Sequence, residues 1–574
     1  MRGLMMDCQL TIPAILRRAE MFHGSVEIVS RQADKSIHRY RYADMIKRAK
    51  RLAVGLKQLG IGRGDRVATL AWNHHQHLES YFAVASVGAV LHTLNPRLHP
   101  NDLTYIINHA EDRVVFVDRS LLPLFEQCRS RVAVDRVVVM GGGPQVEKRP
   151  DEAMELEALI AGADSELFVY DDIDEHDAAA MCYTSGTTGV PKGALYSHRA
   201  IVLQGLTWMV ADLVGIRQRD VILPVVPMFH INAWCLPYAA VMVGAKIVLP
   251  ERHLDPASLL ELIAGERVTL SAGAPAVWLA VLQHLDREGS NAIDKKGTGI
   301  FSDAGPVEKR PVLAGGKYPR PFFRVKPLQT LEKLVIGGSA APKVLVQGFQ
   351  ERYGVTVLQA WGMTETTSLG TVCPAPADSD SPDAPYTSRT RQGVPTPFVE
   401  IRARGDAGLV PWDDETMGEL EVRGPTVASG YYKAPEGTSC VTDDGWFRTG
   451  DIVTIDARGS VQLRDRSKDL IKSGSEWISS VALENALMGH PAVAAAAVIA
   501  VPHPRWDERP LACVVLKPGG TATAEELREY LAPDFAKWWL PDAIEFVDHI
   551  PRTATGKFLK SALRERFKNY RLPT

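Results

Sequence analysis

Residues 183–193 read YTSGTTGVPKG, a stretch with three glycines, four serine or threonine hydroxyls, one proline and one lysine. Glycine lets the backbone approach a ligand closely, and backbone N–H groups can then converge on an anion. Lys192 adds a mobile positive charge. The stretch is not a Walker loop, because Pro191 precedes the lysine and Gly193 follows it. The residue types therefore predict a phosphate-binding loop, although a flexible turn fits the same composition.

On both sides of this stretch, short apolar runs alternate with longer amphipathic segments. The runs typical of buried strands are RVATLAW (66–72), RVVFVD (113–118), VILPVV (221–226), AKIVLP (245–250) and KLVIGG (333–338). Residues 42–60, YADMIKRAKRLAVGLKQLG, carry apolar side chains at helical spacing and end on a glycine. Strands and helices that alternate in this way predict an α/β fold with largely parallel sheets.

Length, charge and cysteine content narrow the class of protein. A chain of 574 residues exceeds the size of one hydrophobic core, so two or more domains are expected. The net charge of -3, without a dense lysine or arginine block, argues against a nucleic-acid partner. Seven scattered cysteines without a CxxC pair argue against a disulfide framework or a zinc site and favour reduced thiols in the cytoplasm.

No segment predicts export or a membrane span. The N-terminus lacks the apolar run of a signal peptide, and prolines and polar residues interrupt the longest apolar region, 221–250. Residues 287–331 and 374–393 are rich in glycine, proline or charge and predict surface loops. The first of these loops could border the entrance to a substrate site. Peripheral membrane contact stays open.

Five further motifs accompany the glycine-rich stretch in a fixed order. They are QAWGMTETT (359–367), GELEVRGPTVASGYYK (418–433), GWFRTGD (445–451), RDRSKDLIKSGSEWIS (464–479) and PRTATGK (551–557). Together the six motifs span most of the chain and resemble the adenylate-forming superfamily of acyl-CoA synthetases, luciferases and nonribosomal adenylation domains. The resemblance implies a large N-terminal domain of stacked sheets, flanking helices and a distorted β-barrel, residues 1–466. A small mobile α+β domain, residues 467–574, follows it.

The same resemblance implies the reaction and the nucleotide site. A carboxylic acid attacks ATP in the presence of Mg²⁺ to give acyl-AMP and pyrophosphate, and coenzyme A then displaces AMP. In this pattern Glu365 ligates Mg²⁺ and Thr364 faces the α-phosphate. Asp451 and Arg466 bind the ribose, although their residue types alone also fit an ion pair. The residues implied for the β- and γ-phosphates and for the walls of the adenine slot are Thr184, Ser185, Gly186, Thr187, Thr188, Gly189, Lys192, Gly338, Ser339, Ala340, Trp361 and Gly362.

The resemblance also assigns roles in the smaller domain. Lys557 corresponds to the catalytic lysine of adenylation, and Lys468 to the hinge about which the small domain rotates. The loop that meets coenzyme A comprises Ser473, Gly474, Ser475, Glu476 and Trp477. Relatives commonly carry two adjacent glycines in this loop, whereas Ser475 follows Gly474 here. The serine either crowds the path of the thiol or is small enough to leave the second half-reaction intact.

The acyl group is the least constrained part of the prediction. PMFHINAW (227–234) resembles the stretch of fatty acyl-CoA synthetases in which His230 lies by the reacting carboxylate and Trp234 gates the acyl tunnel. Ala274 and Pro275 are implied as pocket wall. No charged residue is placed to pair with a charged tail, which favours an uncharged, largely apolar acid. The resemblance implies a medium- or long-chain fatty acid, although the sequence does not specify the chain length.

Other readings remain open at this level. The acid could instead be a short thioether, aryl or cycloalkyl acid. The acyl acceptor could differ from coenzyme A, or the chain could be a non-enzymatic sensor. The partners predicted are small molecules and, as in relatives of this subgroup, a second copy of the chain in a homodimer.

Overall fold

The computed structural model describes residues 1, 3–141, 153–184, 190–296, 328–374, 389–435, 439–473, 476–552 and 558–572, with the backbone alone for 288–296 and 476. The helices of the described residues, in chain order, are α1 Ile12–Phe22, α2 Tyr42–Gln58, α3 His75–Ser86, α4 Pro100–Ala110, α5 Leu122–Arg129, α6 Leu156–Ala161, α7 His198–Met209, α8 Leu236–Val243, α9 Pro256–Glu266, α10 Pro275–Lys296, α11 Lys343–Tyr353, α12 Ser480–Gly489, α13 Ala524–Leu531 and α14 Lys560–Arg566.

The strands fall into four sheets. In chain order they are β1 Glu27–Arg31, β2 Ile37–Arg41, β3 Arg66–Leu70, β4 Val90–Thr93, β5 Asp112–Asp118, β6 Arg136–Met140, β7 Met154–Glu155, β8 Ala178–Thr184, β9 Lys192–Ser197, β10 Val221–Pro224, β11 Lys246–Leu249, β12 Leu270–Gly273, β13 Lys333–Ile336, β14 Thr356–Trp361, β15 Thr371–Val372, β16 Val394–Pro395, β17 Glu400–Gly405, β18 Gly408–Leu409, β19 Gly418–Arg423, β20 Phe447–Ile455, β21 Val461–Arg466, β22 Ile471–Ser473, β23 Glu476–Ile478, β24 Val493–His503, β25 Asp507–Leu516 and β26 Ala543–Phe546.

Two mainly parallel sheets form the larger part of the molecule. One has seven strands in the order β7-β6-β5-β3-β4-β8-β9, and the other has nine in the order β16-β15-β14-β13-β12-β10-β11-β1-β2. A single hydrophobic cluster joins the sheets and the helices between them, with Val67 on β3, Phe82 on α3 and Ile247 on β11. Such burial on both faces explains why the strands appear in the sequence as continuous apolar runs.

A third sheet lies where the resemblance implies a distorted barrel. It is five-stranded and antiparallel, in the order β18-β17-β19-β20-β21. An isolated bridge between Gly393 and Val461 joins the preceding segment to its last strand. Its apolar face packs around Leu420, Val422 and Val453 and also covers Trp361 at the end of β14. The described residues thus form a mixed α/β fold with a large N-terminal part.

The C-terminal unit is a small α+β structure. Strands β24 and β25 form a long antiparallel pair, and the other edge of β25 pairs with β22 near Asp507 and with the parallel strand β26 at Leu511–Val514; β23 pairs with β22. Helices α12 and α13 cover one face, because Leu483, Leu487 and Leu527 pack with the apolar side of the sheet.

Two observations bear on the segments discussed from sequence. Helix α10 runs on to Lys296, so the surface loop expected at 287–331 was wrong for residues 287–296, and residues 297–327 lie outside the described part. Of the loop expected at 374–393, residues 375–388 lie outside it as well. Among the helices that the structure describes, none combines the length and apolarity needed to cross a bilayer.

Candidate active site

The phosphate side of the site is the end of a β-hairpin. Strands β8 and β9 are antiparallel, and Thr184 stands directly opposite Lys192 in their register. The next residue on β9 is Gly193. A side chain at this position would crowd Tyr183, because a Cβ there would lie 3.0 Å from Cζ of the tyrosine. The connecting residues Ser185, Gly186, Thr187, Thr188 and Gly189 lie outside the described residues. The hairpin nevertheless brings the first and last side chains of the predicted loop together.

Glu365, the predicted Mg²⁺ ligand, lies in a tight 3-10 turn formed by Thr364–Thr366. The turn is anchored on two sides: Tyr196 donates its hydroxyl to the carbonyl of Thr364 at 2.8 Å, and the N–H of Ala428 donates to the carbonyl of Glu365 at 2.7 Å. Both Thr364 and Glu365 are buried. The turn therefore holds the two side chains rigidly rather than merely starting a helix.

The surroundings of Glu365 suit a divalent cation. Burial raises the pKa of its carboxyl group, and the hydroxyl of Tyr431 donates to its Oε1 at 2.5 Å. Within the described residues no lysine or arginine forms an ion pair with this carboxylate, and no group of three or more acidic, histidine or cysteine side chains is placed to hold a metal by itself. A site with one buried carboxylate fits Mg²⁺, which proteins commonly bind through one or two carboxylates plus substrate phosphates.

Asp451, one of the two predicted ribose ligands, is tied to Trp361. The indole Nε1–H of Trp361 donates to Oδ2 of Asp451 at 2.8 Å, and Nε of Arg466 lies 2.5 Å from Oδ1. Asp451 is only 1% exposed, and it stands opposite Arg466 in the register of β20 and β21. The ion pair that the residue types allowed is thus present. Its aspartate is buried, and the same carboxylate also accepts the hydrogen bond from Trp361.

The predicted adenine walls lie on both sides of the end of β14. Gly338 adopts φ +85°, a conformation that favours glycine, and Ser339 is exposed. The ring of Trp361 is buried against Gly370, where a Cβ would come within 2.5 Å of Cζ3. A Cβ on Gly362 would lie 1.4 Å from the carbonyl oxygen of Ser368, so only glycine fits there. Adenine stacking by Trp361 stays a prediction, and the indole N–H has a second role toward Asp451.

The predicted acyl gate lies in a left-handed turn. Residues 231–235 all have positive φ, between 43° and 59°, although none is glycine. Each such residue costs about 1–2 kcal/mol. The carbonyl of Trp234 accepts from Nε1 of Trp208 at 2.7 Å and from Oγ of Ser368 at 3.1 Å. Strained backbone held by surrounding contacts is typical of functional sites.

The predicted acyl-site residues lie at this turn and at the start of α10. His230 is half-buried and precedes the turn, and Trp234 is buried. The ring of Trp234 reaches Gly337, where a Cβ would lie 3.1 Å from Cη2, so it borders the 337–342 wall. Half-buried Ala274 and buried Pro275 begin α10 after β12.

The predicted hinge and the described residues of the predicted coenzyme A loop lie at the start of the C-terminal unit. Lys468 is exposed, and its carbonyl accepts from Nη2 of Arg564. Ser473 accepts a hydrogen bond from Nη1 of Arg509 at 2.9 Å, and Trp477 is 40% exposed. Gly474, Ser475 and the catalytic candidate Lys557 lie outside the described residues, as does the side chain of Glu476.

Contacts across the hinge are built from buried polar groups. Ser480 donates through its N–H and its hydroxyl to Oδ2 of Asp465, at 2.6 and 2.5 Å. Nζ of Lys560, three residues after Lys557, donates to Oγ of Ser480 at 2.6 Å and pairs with Glu484 at 2.7 Å. These bonds hold the helix that follows PRTATGK against the last strand before the hinge.

Two features of the site had not been predicted. Tyr431 belongs to a motif quoted for the resemblance, but residue types alone assign it no role. The Trp361–Asp451 hydrogen bond joins residues 90 positions apart, and the only signal for it is the presence of tryptophan, which has an N–H donor, at an aromatic position.

Comparison with known proteins identifies the family of the chain. The model of the family described as "AMP-binding enzyme" matches residues 16–432, and that of the "AMP-binding enzyme C-terminal domain" matches residues 482–557. A long-chain-fatty-acid–CoA ligase of Thermus thermophilus is 48% identical, with 99% of this chain and 97% of that protein covered. A medium-chain-fatty-acid–CoA ligase of Ectopseudomonas oleovorans is 40% identical, with 99% and 98% covered.

A third relative and a solved structure extend the comparison. A 3-methylmercaptopropionyl-CoA ligase of Ruegeria pomeroyi is 41% identical, with 99% of each chain covered. The crystal structure of ATP-bound MatB from Rhodopseudomonas palustris superposes with a TM-score of 0.78 at 27% identity, covering 98% of this chain and 99% of that one. The protein therefore belongs to the AMP-binding enzyme family.

Proposed function

We propose that this chain is an AMP-forming acid:CoA ligase that acts on a medium- or long-chain fatty acid with ATP, Mg²⁺ and coenzyme A. The observation that carries the proposal is Glu365, a buried carboxylate that forms no ion pair within the described residues and accepts a hydrogen bond from Tyr431, over whose ring Lys192 lies. The ligase relatives, 40–48% identical over nearly their full length, support the same class of reaction.

In the first half-reaction the acid carboxylate attacks the α-phosphorus of ATP, which gives acyl-AMP and pyrophosphate. Thr184 and Lys192, at the two ends of the glycine-rich loop, bind the β- and γ-phosphates that leave. Thr364 would donate its hydroxyl toward the α-phosphate, and Glu365 would hold Mg²⁺. The metal, when bound, neutralises charge on the phosphates. Lys557 stabilises the charge that develops between the carboxylate and the α-phosphate.

In the second half-reaction the thiol of coenzyme A displaces AMP from the acyl carbonyl. We place the domain boundary between residues 466 and 467. Rotation of the small domain about Lys468 then takes Lys557 away from the active site and brings the loop 473–477 to the acyl-adenylate. The bonds between Ser480 and Asp465 cross this boundary and have to break or re-form when the unit turns.

The acyl pocket supports an apolar acid. Trp234 and Pro275 are buried and Ala274 is half-buried, and the pocket prediction needs no charged partner for the tail. A short thioether acid is the second candidate, since 3-methylmercaptopropionyl-CoA ligases are 41% identical to this chain. Aryl acids follow, because relatives at about a third identity include a trans-cinnamate:CoA ligase.

A panel of acids tests the proposal. Each acid is incubated with ATP and Mg²⁺, and pyrophosphate release and acyl-CoA are measured with and without coenzyme A. We expect both products with fatty acids of medium or long chain. Pyrophosphate exchange without any acyl-CoA product would indicate an acyl acceptor other than coenzyme A. The absence of turnover with every acid would favour a non-enzymatic sensor.

Lys557→Ala tests the rotating-domain mechanism. We expect the substitution to depress acyl-AMP formation about 100-fold or more, because a transition-state charge loses its partner, and to spare thioester formation from supplied acyl-AMP. Lys568→Ala is the comparison variant, since this lysine lies in the same C-terminal unit with an exposed side chain. An equal loss in both half-reactions of the Lys557 variant would contradict the mechanism.

A cytoplasmic homodimer is part of the same proposal. The seven cysteines are all free thiols, which supports a reducing compartment. Met1, Leu4, Met5 and Met6 are exposed at the N-terminus, which supports an apolar contact with a second copy. Light scattering on the full chain and on a variant with serine at these four positions tests the dimer, and a monomer in both would refute it.

A further inference from the structure

Residues 424–433, GPTVASGYYK, join the two sides of the nucleotide site; we call them the bridging segment. Their backbone contacts both sides. The N–H of Ala428 donates to the carbonyl of Glu365 at 2.7 Å, and the hydroxyl of Thr367 donates to the carbonyl of Thr426 at 2.7 Å. The N–H of Tyr432 donates to the carbonyl of Gly193 on β9 at 2.8 Å. The segment thus fixes the distance between the glutamate turn and the lysine strand.

The side chain of Tyr431 makes the same connection at the level of the functional groups. Its hydroxyl donates to Oε1 of Glu365 at 2.5 Å, and Nζ of Lys192 lies over its ring, 5.1 Å from the centroid. The ring also packs edge-on to Phe447, at 6.4 Å between centroids. One tyrosine therefore contacts two residues that are predicted to bind MgATP: its hydroxyl holds the carboxylate of Glu365, and its ring holds the ammonium group of Lys192.

Without this phenol, the two groups would be free to neutralise each other. A buried carboxylate and a nearby ammonium group attract strongly where water is scarce, and a direct pair would occupy both before ATP arrives. Glu365 and Lys192 form no ion pair here; the carboxylate bonds to the hydroxyl and the ammonium group faces the ring. Cation–π attraction is weak enough, about 0.5–2 kcal/mol, for phosphate to replace it.

We propose that Tyr431 is a positioning residue that keeps Glu365 and Lys192 apart and oriented, one for Mg²⁺ and the other for the phosphates of ATP. The inference rests on the proposed function, because it assumes that MgATP is bound here. The hydroxyl of Tyr431 engages Oε1 of Glu365 and directs the other carboxylate oxygen toward the metal. Groups that orient a metal ligand in this way typically contribute about 10- to 100-fold to metal affinity or activity.

Two substitutions separate the hydroxyl from the ring. Tyr431→Phe keeps the ring beside Lys192 and removes the donor to Glu365, whereas Tyr431→Leu removes both. Tyr570→Phe is the matched control, because Tyr570 also donates to a glutamate, Glu545, at 2.7 Å, in the C-terminal unit. Thermal unfolding of each variant reports whether it retains the native fold.

Calorimetric titration of ATP into the full chain, without acid and therefore without turnover, measures binding in EDTA and in Mg²⁺. We expect Tyr431→Phe to bind ATP in EDTA within about twofold of wild type and to lose about tenfold of the gain that Mg²⁺ gives. Tyr431→Leu weakens binding in EDTA as well, and Tyr570→Phe changes neither. An unchanged or larger Mg²⁺ gain in Tyr431→Phe overturns the inference.

A double-substitution cycle covers the case in which Tyr431→Phe merely loosens the fold. In a Glu365→Gln background, the hydroxyl no longer has a metal-binding carboxylate to orient, so Tyr431→Phe should leave the residual Mg²⁺ gain unaltered. The same loss in both backgrounds would show a structural role instead and overturn the inference. If the wild type itself fails to bind ATP, the proposed function fails. If the wild type binds ATP and the Mg²⁺ gain of Tyr431→Phe is the same as that of the wild type, only this inference is refuted.

Discussion

Removing the indole N–H of Trp361 should destabilise the protein through Asp451. Trp361→Phe leaves Oδ2 of this 1% exposed carboxylate without its donor at 2.8 Å. A hydrogen bond to a charged group contributes about 1.5–3 kcal/mol. The entropy of unfolding is about 2.1 cal/mol/K per residue, so for an N-terminal part that ends at residue 466 we expect a Tm lower by about 1.5–3 °C.

The smaller phenyl ring also loses packing, so a single substitution does not isolate the hydrogen bond. A double-mutant cycle does, with Trp361→Phe, Asp451→Ala and both together. We expect a coupling free energy of about 1.5–3 kcal/mol, because either single change removes the same bond. Trp446→Phe is the control. Trp446 directly precedes β20, and Arg402 and Arg423 lie over its ring. The effect of Trp446→Phe on the free energy of unfolding should therefore add to that of Asp451→Ala.

The measurement is thermal or urea unfolding of the four proteins without ligand. Additive effects of Trp361→Phe and Asp451→Ala, within about 0.5 kcal/mol, would refute the bond and leave Trp361 as packing alone. ATP affinity gives a second readout. If Trp361 orients Asp451 toward the ribose, the double variant binds ATP no more weakly than Asp451→Ala does.

Three further changes test other parts of the structure. Burial lowers the pKa of His77 to about 3, so its contribution to stability is lost as the pH falls from 6.5 toward 3; urea unfolding should show wild type losing about 2 kcal/mol more than His77→Gln between pH 7 and pH 5. Gly362→Ala places a Cβ 1.4 Å from the carbonyl of Ser368 and should abolish ATP binding by calorimetry; wild-type affinity would contradict the geometry. Trp208→Phe leaves the buried carbonyl of Trp234 short of a donor, which should cost about 1–3 kcal/mol in urea unfolding and broaden acid selectivity; unchanged selectivity would separate the turn from the acyl site.

Local sequence pattern was sufficient for the regular elements. The run RVVFVD lies within β5, and KLVIGG contains β13, because strands buried on both faces must be continuously apolar. The segment 42–60 forms α2, which a capping interaction of Asp44 with the N–H of Arg41 begins. These features depend on neighbours in the chain, which is the information a short window contains.

Long-range contacts were not accessible in the same way. The burial of Asp451 depends on a fold that brings Trp361 to it across 90 residues, and the partner of Glu365 is 66 residues away. Helix α10 continued past residue 287, where glycine and charge predicted a loop, because one glycine within a helix costs only about 1 kcal/mol. The motifs identified which residues matter, and only the fold showed how each is held.

The left-handed turn at 231–235 shows why such a site escapes sequence patterns and what it connects. Within INAWC only Asn232 adopts positive φ readily, and the other four residues cost about 4–8 kcal/mol in all. Packing has to supply this energy, and Ala233 and Cys235 are indeed almost fully buried. The bracing comes from the nucleotide side: Ser368 donates to the carbonyl of Trp234, and the thiol of Cys235 contacts the carbonyl of Thr367. Since Thr367 directly follows the turn of Glu365, the turn that carries the predicted acyl gate and the turn that carries the predicted metal ligand brace each other.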